Sequence, residues 1–224
     1  MRPHLPLPLL SALLACFISP SWAAYTLTGN GETTISFADD QYTITPPAGD
    51  PVTQADSPGD IYLTDITESG TYEDGYNRVL NLEGGIYTKL QLWNVAGTAG
   101  GVTLGGTNSF VINIGAGTSL LNTNPQLMGW SNQDRIVAAD ITLNVDQNAG
   151  TINGFCLVGD GNKTDAFQTT GTYIVNIHGG EWVGTSVSSP NARWCIGLGQ
   201  ESFRHTGDVT FTIDGGTFAQ LVTA

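Results

Sequence analysis

Positive charge is scarce in this chain: 7 Lys and Arg stand against 20 Asp and Glu, for a net charge of −13. A surface that acidic repels phosphate backbones and anionic lipid, which argues against nucleic-acid binding and peripheral membrane attachment. Charge of either sign is sparse, at 12% of residues, so the solvated faces of helices have little to be built from. No window beyond the first two dozen residues sustains a 3.6-residue apolar period. Histidine is nearly lacking too: of 3 in the sequence, His4 falls in the apolar leader described below, and His178 and His205 make no pair at zinc-ligand spacing. There is no Gly-x-Ser-x-Gly elbow, phosphate loop or dinucleotide fingerprint, so the sequence carries no mark of the corresponding hydrolases and nucleotide-dependent enzymes.

The first residues look like an address. Arg2, an apolar run from Leu5 to Ile18, the helix breaker Pro20 and then Ser21-Trp22-Ala23 compose a secretory signal, with cleavage expected after Ala23. The run is too short for a good membrane span. An alternative is a lipobox at Leu13-Leu14-Ala15-Cys16, in which Cys16 would be lipidated and become the first mature residue. Cleavage after Ala23 removes Arg2 and no acid, leaving 6 basic against 20 acidic residues, a net charge of −14. It also leaves two cysteines, Cys156 and Cys195, and an oxidising compartment would let them pair.

What is abundant is glycine, 29 residues, and an internal repeat. Asp208 to Phe218 reads Asp-Val-Thr-Phe-Thr-Ile-Asp-Gly-Gly-Thr-Phe, an alternating strand followed by a permissive Gly-Gly turn. The pattern recurs at Tyr173–Trp182, around Leu80, Leu82 and Gly84-Gly85, more loosely at Phe110, Ile112 and Ile114, and at Ile141, Leu143 and Val145. The last apolar residue before each turn is Leu82, Ile114, Val145, Ile177 and Ile213, in steps of 32, 31, 32 and 36 residues. A fixed period of roughly 20–50 residues marks solenoids, propellers and arrays.

First strands at near-constant spacing, followed by second segments of irregular length, predict stacked coils: an all-β parallel solenoid of about five repeats. The five marker residues would form an inward ladder, with Leu80, Ile112, Leu143, Val175 and Phe211 as a second column. Strands near Tyr25, Thr33 and Gln41–Thr45 would cap the first coil, and the acidic stretch from Asp50 to Gly75 would be a solvated loop with one short strand at Ile61 to Leu63. The expected organisation is therefore a signal peptide at 1–23, a cap and acidic loop at 24–74, and repeats over 75–224. The last repeat stops inside its second strand, so a continuing gene product or end-to-end self-association is expected. The rival fold makes each strand, turn and second segment a hairpin of an antiparallel sandwich or propeller.

The stretch Asp208-Val209-Thr210-Phe211-Thr212-Ile213-Asp214-Gly215-Gly216-Thr217-Phe218 resembles the repeat of secreted bacterial right-handed parallel β-helices, above all passenger regions of autotransporter-like and other large surface proteins. The resemblance covers 75–224 and speaks to architecture more than activity. This chain departs from the pattern in its longer repeats and in having no C-terminal barrel segment, which leaves the secretion route open. The resemblance implies a right-handed single-stranded β-helix and an exported structural or adhesive role at the bacterial surface or outside the cell. A periplasmic or outer-membrane lipoprotein is the alternative location. Surface glycans or proteins of a host or neighbouring cell would be the partners, and membrane contact would come only through a separate anchor or Cys16.

The chemical candidates are few. Asp160, Asn162 and Thr164 place oxygens at alternate positions as a calcium loop would, but the sixth-position Gly and twelfth-position acid are missing, so an ordinary corner loop fits better and no cofactor is expected. Trp130 lies beside a loop rich in Asn and Gln and is the aromatic best suited to stacking on sugar, whereas Trp182, aligned with Tyr87 and Phe218 after the turn, reads as corner packing. His178 takes the polar slot held by Glu83, Asp146 and Asp214 in other repeats, and His205 falls in a loop before the last. Cys156 and Cys195 occupy second segments of consecutive repeats, close enough by stacking for a disulfide or for two thiols in the core. A β-helix can be a polysaccharide lyase or glycoside hydrolase or a sugar-binding module, but Arg78, Lys89, Arg135, Lys163, Arg193 and Arg204 fall at unlike repeat positions and do not converge on one face as a catalytic base would.

Overall fold

A computed structural model describes residues 23–26, 32–33, 41–45, 60–87, 89–93, 101–121, 127, 130–131, 134–153, 155–156, 160–161, 167–183, 196–197 and 203–219. Among the described residues there is no helix, and every strand pairing is parallel. The chain is a β-solenoid.

The long strands follow from alternation. Ser109–Ile114 buries Phe110, Ile112 and Ile114 and leaves Ser109, Val111 and Asn113 half-buried on the other face. Seven such strands form one sheet in the order Ala23–Thr26, Gln41–Thr45, Asn77–Leu82, Ser109–Ile114, Asp140–Val145, Tyr173–Ile177 and Val209–Ile213. Register is unbroken through the repeats: Leu82, Ile114, Val145, Ile177 and Ile213 are successive Cα partners, and so are Leu80, Ile112, Leu143, Val175 and Phe211. Ile44 and Tyr42 extend these two register columns toward the N-terminus, so the stack continues into the segment expected to close it.

The Gly-Gly turn decides between the rival folds. Gly84 and Gly85 take φ of 84° and 91°, a left-handed conformation that other residues adopt at a cost. They do not fold the chain back on its own strand. Gly85–Tyr87 instead pairs with Thr118–Leu120 of the next coil and starts a second sheet, continued by Thr151–Asn153, Glu181–Val183 and Thr217–Phe218. Its inward column is Tyr87, Leu120, Ile152, Trp182 and Phe218, so the aromatics after the turn are core. Trp182 Nε1 donates to Gly179 O at 2.9 Å and Tyr87 Oη to Gly84 O at 2.9 Å, so each ring closes its own turn.

A third sheet has no counterpart in the sequence-based expectations: Gly70–Tyr72, Val102–Leu104, Arg135–Val137, Phe167–Thr169 and Phe203–His205. Its strands are only three residues long, and Arg135, Thr169 and His205 stand in inward positions that a hydrophobicity pattern does not flag. Two expectations are corrected here. His205 lies in a strand rather than a loop, its Nδ1 2.6 Å from Thr169 Oγ1 and its ring 4.8 Å from that of Tyr173. The acidic stretch is more than a loop: Asp60–Tyr62 pairs with Lys89–Gln91, Gly70–Tyr72 begins the third sheet, and Ile61, Leu63 and Ile66 are buried, while Asp65, Glu68, Glu73 and Asp74 remain in solvent.

Asn108 staples the corner between the third sheet and the long one. It is 1% exposed, accepts from Tyr76 N at 2.9 Å and donates to Gly105 O at 2.9 Å and to Tyr72 O at 3.1 Å. Asn108→Leu would strand the Tyr76 N–H where water reaches poorly and take one of their donors from the carbonyls of Gly105 and Tyr72, which keep a backbone partner each. The expected cost is roughly 2–3 kcal/mol, read as a lower urea midpoint at unchanged slope.

Candidate functional site

Two places merit a functional reading: the outward face of the long sheet and the corner where that sheet meets the second. On the outward face, residues between the buried columns line up as Val79, Val111, Thr142, Ile174 and Thr210, and as Asn81, Asn113, Asn144 and Asn176 followed by Thr212. The asparagines form a ladder. Asn113 Nδ2 donates to Asn81 Oδ1 at 2.7 Å, Asn144 to Asn113 at 2.8 Å, and Asn176 to Asn144 at 2.9 Å. Each carboxamide is both donor and acceptor, so one residue type repeated in register joins rung to rung. Asn144→Ala removes two of these bonds. A loss of about 1–2 kcal/mol is expected, against a negligible change for Asn148→Ala, which forms no part of the ladder.

The corner is built from the residue after each marker: Glu83, Gly115, Asp146, His178 and Asp214. With the preceding side chain buried, the next points outward. His178 Nδ1 lies 2.7 Å from Asp214 Oδ1, with the side chains 48% and 60% exposed, and Asp146 Oδ1 accepts from Asn148 N at 2.7 Å. Asp146, Gln147, His178 and Asp214 line an open polar groove of about 410 Å³. Two carboxylates thus flank an imidazole on successive rungs, with no Arg or Lys among the groove's lining residues. Among the described residues no three His, Cys, Asp or Glu converge as metal ligands.

Among the described side chains, the arginines lie apart from both places. Arg135 is 1% exposed, between Val102 and Phe167 in an inward column, with its guanidinium 5.9 Å from the centroid of the Trp93 ring, and burial lowers its pKa. Arg78 stands 5.6 Å over the Tyr76 ring, whose hydroxyl donates to Asp65 Oδ1 at 2.8 Å. Burial foremost, with the Asp65 carboxylate adding to it, pushes the Tyr76 phenol well above its usual range, and burial alone does the same to Tyr87. Arg204 is exposed, and Lys163 and Arg193 lie outside the described residues. Asp140, which shares a repeat position with Asp208, serves the backbone, since its Oδ1 accepts from Thr172 N at 2.7 Å.

Of the sugar-stacking and calcium candidates singled out in the sequence, two are brought together among the described residues. Trp130 and Asp160 are register partners in a two-stranded sheet formed by Trp130–Ser131 and Asp160–Gly161. Their side chains, together with Asn162, Thr164, Cys195 and Cys16, lie outside the described residues. Cys156 is described by its backbone, in the strand Phe155–Cys156, opposite Gly197. Sequence reasoning overlooked the asparagine ladder, although Asn81, Asn113, Asn144 and Asn176 all precede a marker by one residue, a signal as regular as the markers themselves.

The class this architecture defines is the parallel β-solenoid with three principal sheets. No protein-family model, curated protein or solved structure matches the chain.

Proposed function

We propose that the chain is an exported structural protein of the bacterial surface, serving as an extended stalk or adhesive face, with surface glycans or proteins of neighbouring cells as its partners. The observation that best supports this reading is the outward face of the long sheet. Its laddered asparagines bond to one another and the column beside them is Val, Thr and Ile, a regular surface suited to holding a shape and meeting a broad partner. The acidic surface fits an outer face kept soluble and away from anionic lipid. The test is to express the chain with an internal epitope in a bacterium and label intact cells. Antibody labelling that protease shaving removes is expected, and a chain confined to the cytoplasm ends the proposal.

A second reading, recognition of sugar, rests on one observation: Trp130 shares its register with Asp160, placing an aromatic residue and an acidic one at matching positions of adjacent strands. Aromatic planes hold the apolar face of a pyranose, and carboxylates accept from its hydroxyls. Retention on immobilised polysaccharides that Trp130→Ala abolishes is the expected result. No retention on any of a broad set of neutral and acidic glycans sinks the reading.

A further inference from the structure

The outward face of the long sheet is laid out as a track. Its two central columns, the asparagine ladder and the line from Val79 to Thr210 beside it, hold no charged residue. Exposed acids stand at both margins: Asp140 and Asp208 on one side, and Glu83, Asp146 and Asp214 on the other, with His178 between the last two. The columns are two residues apart along the strand, roughly 7 Å, and the rungs about 4.8 Å apart, so the uncharged strip covers only on the order of 300 Å². A stable protein partner covers roughly 800 Å² on each side, and it would meet acids at both margins. A single extended chain lying along the solenoid axis stays between them.

Repeat and charge decide which linear polymer fits. A nucleic acid would bring phosphates to an acidic surface. An extended polypeptide advances about 3.1–3.4 Å per residue and drifts out of step with the rungs. A chain of equatorially linked pyranoses advances by close to one rung for each ring and its bridging oxygen, so it presents the same groups to every coil. The ladder supplies partners for those groups. Asn113 and Asn144 each use one N–H and one lone pair of the carboxamide on neighbouring asparagines, which leaves each a second N–H and a second lone pair. Adjacent hydroxyls of a sugar ring can meet a carboxamide at both of these atoms. The second column adds aliphatic surface at Val79, Val111 and Ile174, the last 37% exposed, against which the C–H face of a ring can lie.

We infer that this strip binds a linear, uncharged polysaccharide of β-1,4-linked pyranoses, laid along the solenoid axis with one sugar per coil. The inference rests on the adhesive reading and gives it a ligand class and a site, separate from Trp130.

Isothermal titration calorimetry of the purified chain tests it, with cello- and chito-oligosaccharides from the dimer to the hexamer. In at least one series the affinity should rise with each added sugar up to about five, one for each rung from Asn81 to Thr212, and then level off. Maltopentaose, whose α-linkages coil the chain, and oligogalacturonate, whose carboxylates face the acidic margins, should bind far more weakly. Asn144→Ala, with its fold checked by circular dichroism, should weaken binding of the pentamer by roughly tenfold, the worth of about one good contact. Should that variant fail to fold, Thr142→Arg lays a long side chain across the strip, leaves the ladder bonds in place and should weaken binding as much. Trp130→Ala should change nothing. Binding by neither series, affinity independent of length, maltopentaose bound as well as the β-linked pentamers, a folded Asn144→Ala that binds like wild type, or loss of binding in Trp130→Ala would each overturn the inference. Labelling of intact cells reads the surface role separately, so a chain displayed on cells that binds none of these sugars keeps that role and loses this ligand.

Discussion

Ile177→Asp is expected to unfold the array. Ile177 is 0% exposed and stands in register between Val145 and Ile213, one rung inside the open end of its column, so the new carboxylate would be enclosed by aliphatic side chains with no cation in the column. An unpaired buried charge costs several kcal/mol even when it escapes by taking up a proton, on the order of 4 kcal/mol or more. Domains of this size hold together by only about 5–15 kcal/mol. Two controls place the cause. Ile174→Asp alters the same strand on its outward side, where Ile174 is 37% exposed, and Ile213→Asp alters the same column at its open end, where exposure is 43%. Each should cost well under half as much. Equal losses from Ile177→Asp and Ile174→Asp, read by urea denaturation, would mean that the column is not the core.

Gly179→Ala should be nearly as damaging, for a reason that has nothing to do with conformational freedom. A Cβ on Gly179 would run into the backbone of Gln147 on the preceding rung, meeting its carbonyl oxygen, carbonyl carbon and Cα. Backbone yields less readily than a side chain. The two rungs would have to part, at the expense of the bonds from His178 N to Val145 O and from Glu181 N to Gly150 O, each 3.0 Å. A cost of about 3 kcal/mol is expected, at the upper end for overpacking. Gly75→Ala is the informative comparison: Gly75 has φ of 99° with nothing within 4 Å of a new Cβ, so it should lose only the left-handed backbone penalty of about 1–2 kcal/mol. If Gly179→Ala costs no more than Gly75→Ala, the close approach between rungs at this corner is not real.

The parallel stack was legible because its signal is repeated. One alternating strand says little, but five with markers 31 to 36 residues apart predict a column, and Leu82, Ile114, Val145, Ile177 and Ile213 occupy one. The aromatics after the turn were legible for the same reason: Tyr87, Trp182 and Phe218 share a repeat position. The third sheet was not, since three residues cannot show a period and three of its inward slots, Arg135, Thr169 and His205, hold residues that ordinarily face water. Arg135 is the extreme case, a charge inside the solenoid that a polarity pattern assigns to the surface. His205 was misplaced on the same ground. Only its register with Thr169 identifies it as part of a strand, and register is a relation between rungs rather than a property of local sequence. For the candidate sites, Asp146, His178 and Asp214 could be aligned as one polar slot, but the bond from His178 to Asp214 depends on side-chain reach between rungs.

The sides of each coil do not vary alike. Between the second-sheet and third-sheet strands lie 14, 14, 13 and 19 residues in successive coils, and the last of these accounts for the 36-residue step. The turns at the other two corners never exceed 5 residues. An inserted loop on the longer flank extends the path of one coil without shifting any column, so it leaves the interior packing of its neighbours as it was. Descendants of this gene can therefore lengthen that flank between its fixed points, the buried Leu90, Leu92, Trp93 and Leu127 and the paired strands beside them, and differences in coil length would be expected to accumulate along that single side.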